Sequence, residues 1–270
     1  MTRNYKRLII IAVYLVIFFL VGLLIYQMTK PAPTCFDGKK NQREEGTDCG
    51  GPCAPCKKVF MAQPLAVAEK AFIYGGPGRY DVMTKISNPN SEYGSPDFSY
   101  EFILKDSSGK EIDRRSGKGF ILPAETKYII ESNLEAVGPQ EVEVIIASTE
   151  WAEFSNYEKP RLDIYNKRYN LISGGVGYSE AYGLLRNDSP FDFNFIKINV
   201  ILRDSGKKPV ALNSTDMRTV NSREQRDFRL LWPFSFPGEV EIVEMEAEAD
   251  VYNSQNFIKQ YLPGGKFQEY

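Results

Sequence analysis

Two stretches of this chain, 98 residues apart, share one hydrophobic pattern, and this repetition constrains the fold more than any other feature. In DFSYEFILKD every second residue is apolar, and the same alternation returns in FIKINVILRD. Successive side chains of a strand point to opposite faces, so each stretch is predicted to be a β-strand with one face in a core. The core-facing residues would be Phe98, Tyr100, Phe102 and Leu104 in the first strand and Ile196, Ile198, Val200 and Leu202 in the second.

Three further pairs of segments keep nearly the same spacing, which indicates a duplicated unit of about 100 residues. They are ISNPN with LRNDSP, ILPAETKYII with VNSREQRDFRLL, and PQEVEVII with PGEVEIVE. Short strands at close spacing, separated by Gly, Asn and Pro, predict an immunoglobulin-like β-sandwich for each unit. The predicted fold class is therefore mainly β, with tandem sandwiches at 59–156 and 157–270.

The order of features within each unit resembles the small sandwich domains of the late-embryogenesis-abundant type 2 and FxLyD kind. A strand is followed by Asn-Pro-Asn or Asn-Asp-Ser-Pro, then by the alternating strand, a Lys/Arg-Asp-Ser-Gly turn and a further strand. The resemblance implies a non-catalytic domain. Trp151 and Trp232 are interpreted as core or inter-domain residues, and the aromatic tail after Asp250 predicts one more strand packed on the second sandwich.

An uncharged apolar run from Leu8 to Thr29 has the length of about 20 residues that crosses a bilayer as a helix. Tyr26, Gln27 and Met28 occupy the positions where a cleaved signal peptide needs small residues, so an uncleaved anchor is predicted. Basic residues crowd the N-terminal flank at Arg3, Lys6 and Arg7.

The positive-inside bias predicts that residues 1–7 are cytoplasmic, that 8–29 span the cell membrane and that 30–270 are extracytoplasmic. Beyond the N-terminal flank, 30 Lys and Arg residues face 35 Asp and Glu residues. This negative balance gives no electrostatic support for nucleic-acid binding.

All four cysteines lie in CFDGKKNQREEGTDCGGPCAPC, within a predicted linker and cysteine-rich module at 30–58. A short segment outside the membrane has too few residues for a core, so two disulfides are favoured, with the pairing of Cys35, Cys49, Cys53 and Cys56 left open. A structural zinc site and a redox-active pair at Cys53 and Cys56 are the alternatives.

The same segment resembles a recurrent motif of bacterial and archaeal surface proteins, Cys-x-Asp-Gly-x-x-Asn-x-x-Glu-x-Gly-x-Asp-Cys-Gly-Gly-x-Cys-x-x-Cys, which implies location more than activity. Its oxygen-bearing side chains are of the kind that binds Ca²⁺. We therefore consider a calcium site at Asp37, Asn41, Glu44 and Asp48, against the alternative that these residues only cap turns between disulfides.

The chain contains no histidine, which removes Ser-His-Asp triads, Cys-His pairs and histidine metal sites. The glycine-rich GGPGR and SGGVG are interpreted as turns, because no phosphate-loop sequence accompanies them. The glutamates at 244, 246 and 248 alternate with apolar residues, which predicts the solvent face of a strand rather than a hydrolytic pair. Asn187 and Asn213 head glycosylation triplets.

These features predict a membrane-anchored envelope protein that is not an enzyme and that has a binding or structural role as a scaffold, adhesin or surface-complex subunit. Its partners would be the lipid bilayer, through residues 8–29, and an envelope protein or glycan. The alternatives are a carbohydrate-active enzyme that uses exposed carboxylates and an extracytoplasmic thiol oxidoreductase at Cys53 and Cys56.

Overall fold

The structure is a computed structural model that describes residues 3–29, 34–54, 56, 61–154, 157–262 and 267. The chain divides into two compact units, Met1–Phe60 and Met61–Tyr270. Of the predicted linker and cysteine-rich module at 30–58, residues 30–33, 55, 57 and 58 lie outside the described residues.

The first unit contains helix α1, Arg3–Thr29, and the cysteine module. Within α1 the segment Lys6–Met28 is long and apolar enough to cross a membrane. Its described side chains from Lys6 to Met28 are exposed, whereas an apolar helix of a water-soluble fold is buried in a core. The helix is therefore compatible with a membrane anchor or a signal sequence.

The second unit contains thirteen strands in the described part of the chain, and they form two copies of one topology. In the first repeat the sheet order is β1-β2-β5 facing β4-β3-β6, with β7 paired to the start of β3. The strands are β1 Ala66–Gly76, β2 Arg79–Ser87, β3 Tyr93–Lys105, β4 Glu111–Ile121, β5 Thr126–Glu135, β6 Glu141–Thr149 and β7 Ala152–Glu153.

The second repeat has the same arrangement, with β8-β9-β12 facing β11-β10-β13. Its strands are β8 Leu162–Leu171, β9 Ser179–Asn187, β10 Phe193–Arg203, β11 Pro209–Val220, β12 Gln225–Trp232 and β13 Ile242–Glu248. All neighbouring strands within these sheets pair antiparallel. The chain switches between the two sheets of each sandwich after its second, fourth and fifth strands, as in immunoglobulin-like folds. The predicted mainly β fold with two sandwiches is confirmed.

The two alternating strands are the central strands β3 and β10, and the side chains predicted to face a core are all buried. Alternation alone placed them correctly because each sandwich core accepts one face of each strand. Trp151 and Trp232 are also buried, and Trp232 Nε1 donates to the Leu212 carbonyl at 2.9 Å. GGPGR forms the turn between β1 and β2, and SGGVG lies between β8 and β9, as predicted.

The tail prediction was wrong in its element type, because residues Gln255–Tyr261 form the short helix α2 rather than a strand. Phe257 and Tyr261 are four residues apart, which places both on one helix face. Phe257 is fully buried and stacks on Phe154 of the segment between the repeats, with ring centroids 5.7 Å apart. The predicted packing of the tail aromatic residues on the second sandwich is therefore present, in helical form.

Candidate functional site

The cysteine module contains two disulfides, Cys35–Cys53 and Cys49–Cys56. The structure thus supplies the pairing that the spacing left open, and no thiol remains for the zinc alternative. Cys53 and Cys56 bond to different partners, which is not the disulfide that a Cys-x-x-Cys oxidoreductase forms.

The predicted calcium ligands do come together, but their oxygens accept hydrogen bonds from the loop itself. Asp48 Oδ1 accepts from the backbone N–H groups of Asp37 and Gly38, at 2.9 and 3.0 Å. Asp37 accepts from Asn41 Nδ2 at 2.8 Å, and this hydrogen bond lowers the pKa of the Asp37 carboxyl. These hydrogen bonds match the alternative in which the four residues cap turns, so that polar side chains hold the loop in place of an apolar core.

Glu44 is the most buried of the four, at 5% exposure. Its Oε2 accepts from the N–H groups of Asn41 and Asp48, at 3.1 and 3.3 Å. Its Oε1 lies 3.2 Å from Cys53 Sγ, but the sulfurs of Cys35 and Cys53 belong to a disulfide and are not thiolate ligands. The geometry explains how the loop folds, and calcium binding stays a prediction.

The two glycosylation triplets have different surroundings. Asn187 is fully buried, and its Nδ2 donates to the carbonyls of Phe191 and Asn221 at 2.7 and 3.0 Å. Both amide hydrogens are used inside the fold, so a glycan has no room at Asn187 in the folded chain. Asn213 lies partly exposed on β11, where Nδ2 donates to the Leu231 carbonyl, and its glycosylation stays a prediction.

The sequence did not predict the surface on which the two repeats pack. The outer face of sheet β1-β2-β5 meets the outer face of sheet β11-β10-β13, and we call this contact the seam. Its apolar centre consists of Ile73, Met83, Tyr128, Ile130, Ile201 and Leu212. The seam explains why β5 and β10 are buried on both faces.

Arg203, at the end of β10, lies in the seam with only 4% of its surface exposed. Its guanidinium donates to both carboxylate oxygens of Glu69 in the first repeat, at 2.7 and 2.9 Å, and to the Tyr128 hydroxyl at 3.1 Å. Arg203 Nε lies 3.1 Å from Glu244 Oε2, an ion pair without hydrogen-bond alignment. This bidentate, charge-assisted geometry fixes the two repeats against each other.

The prediction that Glu244, Glu246 and Glu248 form the solvent face of a strand was wrong. On β13 their side chains point into the seam, where they contact groups of the first repeat. The Tyr128 hydroxyl donates to Glu244 at 2.8 Å, the Tyr128 N–H donates to Glu246 at 2.9 Å, and buried Lys127 pairs with Glu248. Burial raises the pKa of Glu246 to about 7.

Two open clefts lie at the seam. The first, which we call the carboxylate cleft, measures about 550 Å³, and its lining includes Lys85, Tyr128, Lys167, Glu244 and Glu246. Most of these polar groups already have partners: Lys167 donates to the Met245 carbonyl at 3.3 Å, and Lys85 lies 4.9 Å above the Tyr128 ring.

The second cleft, which we call the aromatic cleft, measures about 560 Å³. Residues of the first repeat, including Tyr74, Arg79, Asp81 and Asn133, form one wall, and the segment Leu231–Phe236 forms much of the other. Asp81 Oδ1 accepts from the Asn133 N–H at 3.0 Å, while burial raises the pKa of the Asp81 carboxyl. Volumes of this size are typical of small-ligand sites.

One sequence signal indicates that β5 and β10 are covered on both faces, without identifying what covers them. The runs Tyr128-Ile129-Ile130 and Val200-Ile201-Leu202 are continuously apolar, which is the pattern of a strand buried on both faces. Glu69, which binds Arg203, and Tyr128, which binds Glu244, lie 134 and 116 residues away in the other repeat, and no local pattern identifies them.

A scan against models of known protein families and a search of curated protein sequences both find no match to this chain.

Proposed function

We propose that this chain is a single-pass membrane protein with a cytoplasmic N-terminus, and that residues 30–270 act outside the cytoplasm as a non-catalytic binding module of the cell envelope. The apolar helix α1 would be the contact with the lipid bilayer. The basic flank at Arg3, Lys6 and Arg7 supports the orientation. The two disulfides support an oxidising compartment for the module.

The observation that carries the binding role is the preformed aromatic cleft between the repeats. It combines exposed apolar side chains with a small number of polar groups held by the fold, which is the usual composition of a binding site. The seam that forms it is fixed by Arg203 and by the apolar cluster around Ile201, so the cleft needs no rearrangement before a ligand enters.

The carbohydrate-active alternative receives less support. Its glutamates on β13 are engaged with Tyr128, Arg203 and Lys127, and this holds the repeats together. A hydrolytic pair needs one carboxyl group free to donate to a leaving group and a second free to attack or to activate water. We therefore assign the glutamates a structural role.

Two measurements test the proposal. In spheroplasts, a membrane-impermeant amine reagent should label the lysines of residues 61–270 on the full chain, as it does after lysis. Labelling that requires lysis would refute the orientation. The purified full chain in detergent micelles should also sediment with isolated cell envelopes, whereas failure to bind any envelope fraction would refute the binding role.

A further inference from the structure

We propose that the aromatic cleft binds an uncharged glycan segment of the cell envelope, with its ring faces stacked on Phe234 and Tyr74 and its hydroxyl groups hydrogen-bonded to Asp81 and Asn133. This inference rests on the binding role proposed above and specifies the class of ligand.

The aromatic surface is exposed and fixed in position. Phe234 is 50% exposed, although it lies in a wall of a cleft, and Tyr74 on the opposite repeat is 37% exposed. A Cβ at Gly76 would lie 2.8 Å from the Phe234 ring, so the ring packs directly on the backbone of the first repeat. Tyr74 is positioned by an edge contact with Tyr80, with ring centroids 6.2 Å apart.

Aromatic rings of this kind suit the C–H faces of a sugar. The face of an aromatic ring is electronegative and attracts the weakly positive C–H hydrogens, while the ring also removes apolar surface from water. Trp232 and Phe236 also line the cleft, where both are buried and contact each other edge to face, with ring centroids 6.5 Å apart.

The polar groups of the cleft suit hydroxyl ligands. The Asp81 carboxylate accepts from the Asn133 N–H and from the Ser132 side chain, and since a carboxylate has about four acceptor positions it can accept further hydrogen bonds. Arg79 Nη1 lies 3.5 Å from Asn133 Oδ1 and pairs with Glu135 at 3.6 Å, so the guanidinium is already partly neutralised. A carboxylate, an amide and a guanidinium together donate to and accept from hydroxyl groups without requiring a charged ligand.

The same groups argue against other ligand classes. An anion would meet Asp81, and the cleft cation, Arg79, already has an acidic partner. A peptide that binds by adding a strand to a sheet edge needs unpaired backbone groups there. Here the Trp232 carbonyl already accepts from the Tyr178 N–H, and the Leu231 carbonyl accepts from Asn213.

The test uses the full chain in detergent micelles and isolated envelopes that are untreated, oxidised with periodate, or digested with protease. Periodate cleaves the vicinal diols of sugars and protease removes protein partners. Phe234→Ala and Asp81→Asn are compared with wild type, and Tyr165→Ala is the matched control, since Tyr165 is 44% exposed and is not part of the aromatic cleft. Each variant is first shown to unfold at the wild-type temperature.

We expect binding to survive protease and to be lost after periodate. Phe234→Ala and Asp81→Asn should weaken it by about tenfold or more, and Tyr165→Ala should leave it unchanged. Binding that survives periodate but is lost after protease would overturn the glycan assignment and leave the binding role intact. Equal binding of Phe234→Ala and Tyr165→Ala to untreated envelopes would have the same consequence. Failure of every envelope preparation to bind would overturn the binding role and this inference with it.

Discussion

Replacing Arg203 with alanine tests whether the seam holds the two repeats together. The guanidinium donates to both oxygens of Glu69, to the Tyr128 hydroxyl and to the Lys207 carbonyl, and it forms an ion pair with Glu244. The substitution removes all of these contacts at once and leaves the Glu69 and Glu244 carboxylates with only the Coulombic attraction of the nearby Lys85 ammonium.

The expected loss of stability follows from this geometry. Removing one partner of a buried ion pair costs about 3 to 5 kcal/mol, because the remaining charge is left unpaired. The side chains of Glu69 and Glu244 are 30% and 38% exposed, so water can partly replace the lost arginine. We therefore expect the lower end, about 3 kcal/mol, which is a fall of about 1 M in the urea midpoint for a fold of this size.

The assay is urea unfolding of the full chain in detergent micelles, followed by tryptophan fluorescence. The matched control is Arg114→Ala, because Arg114 also contacts two glutamates, Glu101 and Glu111, but on the exposed outer face of the first sandwich. Exposed pairs contribute at most about 1 kcal/mol each. If Arg203→Ala costs no more than Arg114→Ala, the seam network does not stabilise the fold and the reasoning is refuted.

Three further predictions address other parts of the fold. Because the pKa of Glu246 is raised from 4.5 to about 7, its contribution to stability is full below about pH 4.5 and is lost as the pH rises through 7. At pH 8 the free energy of unfolding of Glu246→Gln should therefore be about 2 to 3 kcal/mol higher than that of wild type, and at pH 4.5 it should be nearly the same. An equal gain in stability at both pH values would contradict this. The disulfide Cys35–Cys53 spans 18 residues, so serine at both positions should cost the module about 3 kcal/mol and speed proteolysis within it. A Cβ at Gly94 would overlap the Tyr252 hydroxyl, so Gly94→Ala should lower the thermal midpoint by the equivalent of about 1 to 3 kcal/mol, whereas Gly206→Ala, whose Cβ would lie 3.3 Å from Asp204 Oδ1, should lower it less.

The sandwiches could be predicted from the sequence because each core buries one face of each strand, which produces an alternating pattern of apolar residues. Phe98 and Phe102, and likewise Ile196 and Ile198, alternate with polar residues, and all four are buried. The apolar helix α1 and the clustered cysteines were equally local signals. The period of the apolar residues and the spacing of the cysteines predict these elements without any three-dimensional contact being known.

The seam could not be predicted in the same way, because it uses the other face of the same strands. The alternating glutamates on β13 have the pattern of a solvent face, yet the groups that bind them, Tyr128, Lys127 and Arg203, come from distant parts of the chain. The prediction of a strand in the tail was wrong for a different reason. Its aromatic residues suggested a strand, while the four-residue spacing of Phe257 and Tyr261 was the helical signal.

The way the repeats pack also explains how two copies of one sandwich can form a unit of limited size. The seam joins non-equivalent faces, β1-β2-β5 of the first repeat and β11-β10-β13 of the second, and a contact of this kind can in principle extend to further copies. The two remaining outer faces carry charged pairs, such as Arg114 with Glu101 on the first and Arg229 with Glu180 on the second, beside single exposed apolar residues such as Ile145 and Tyr165. Covering these pairs would remove charges from water without a hydrophobic gain, so they favour solvent-exposed ends. Polarity of the outer faces thus confines the apolar contact to one seam, and that seam places the aromatic cleft between the repeats.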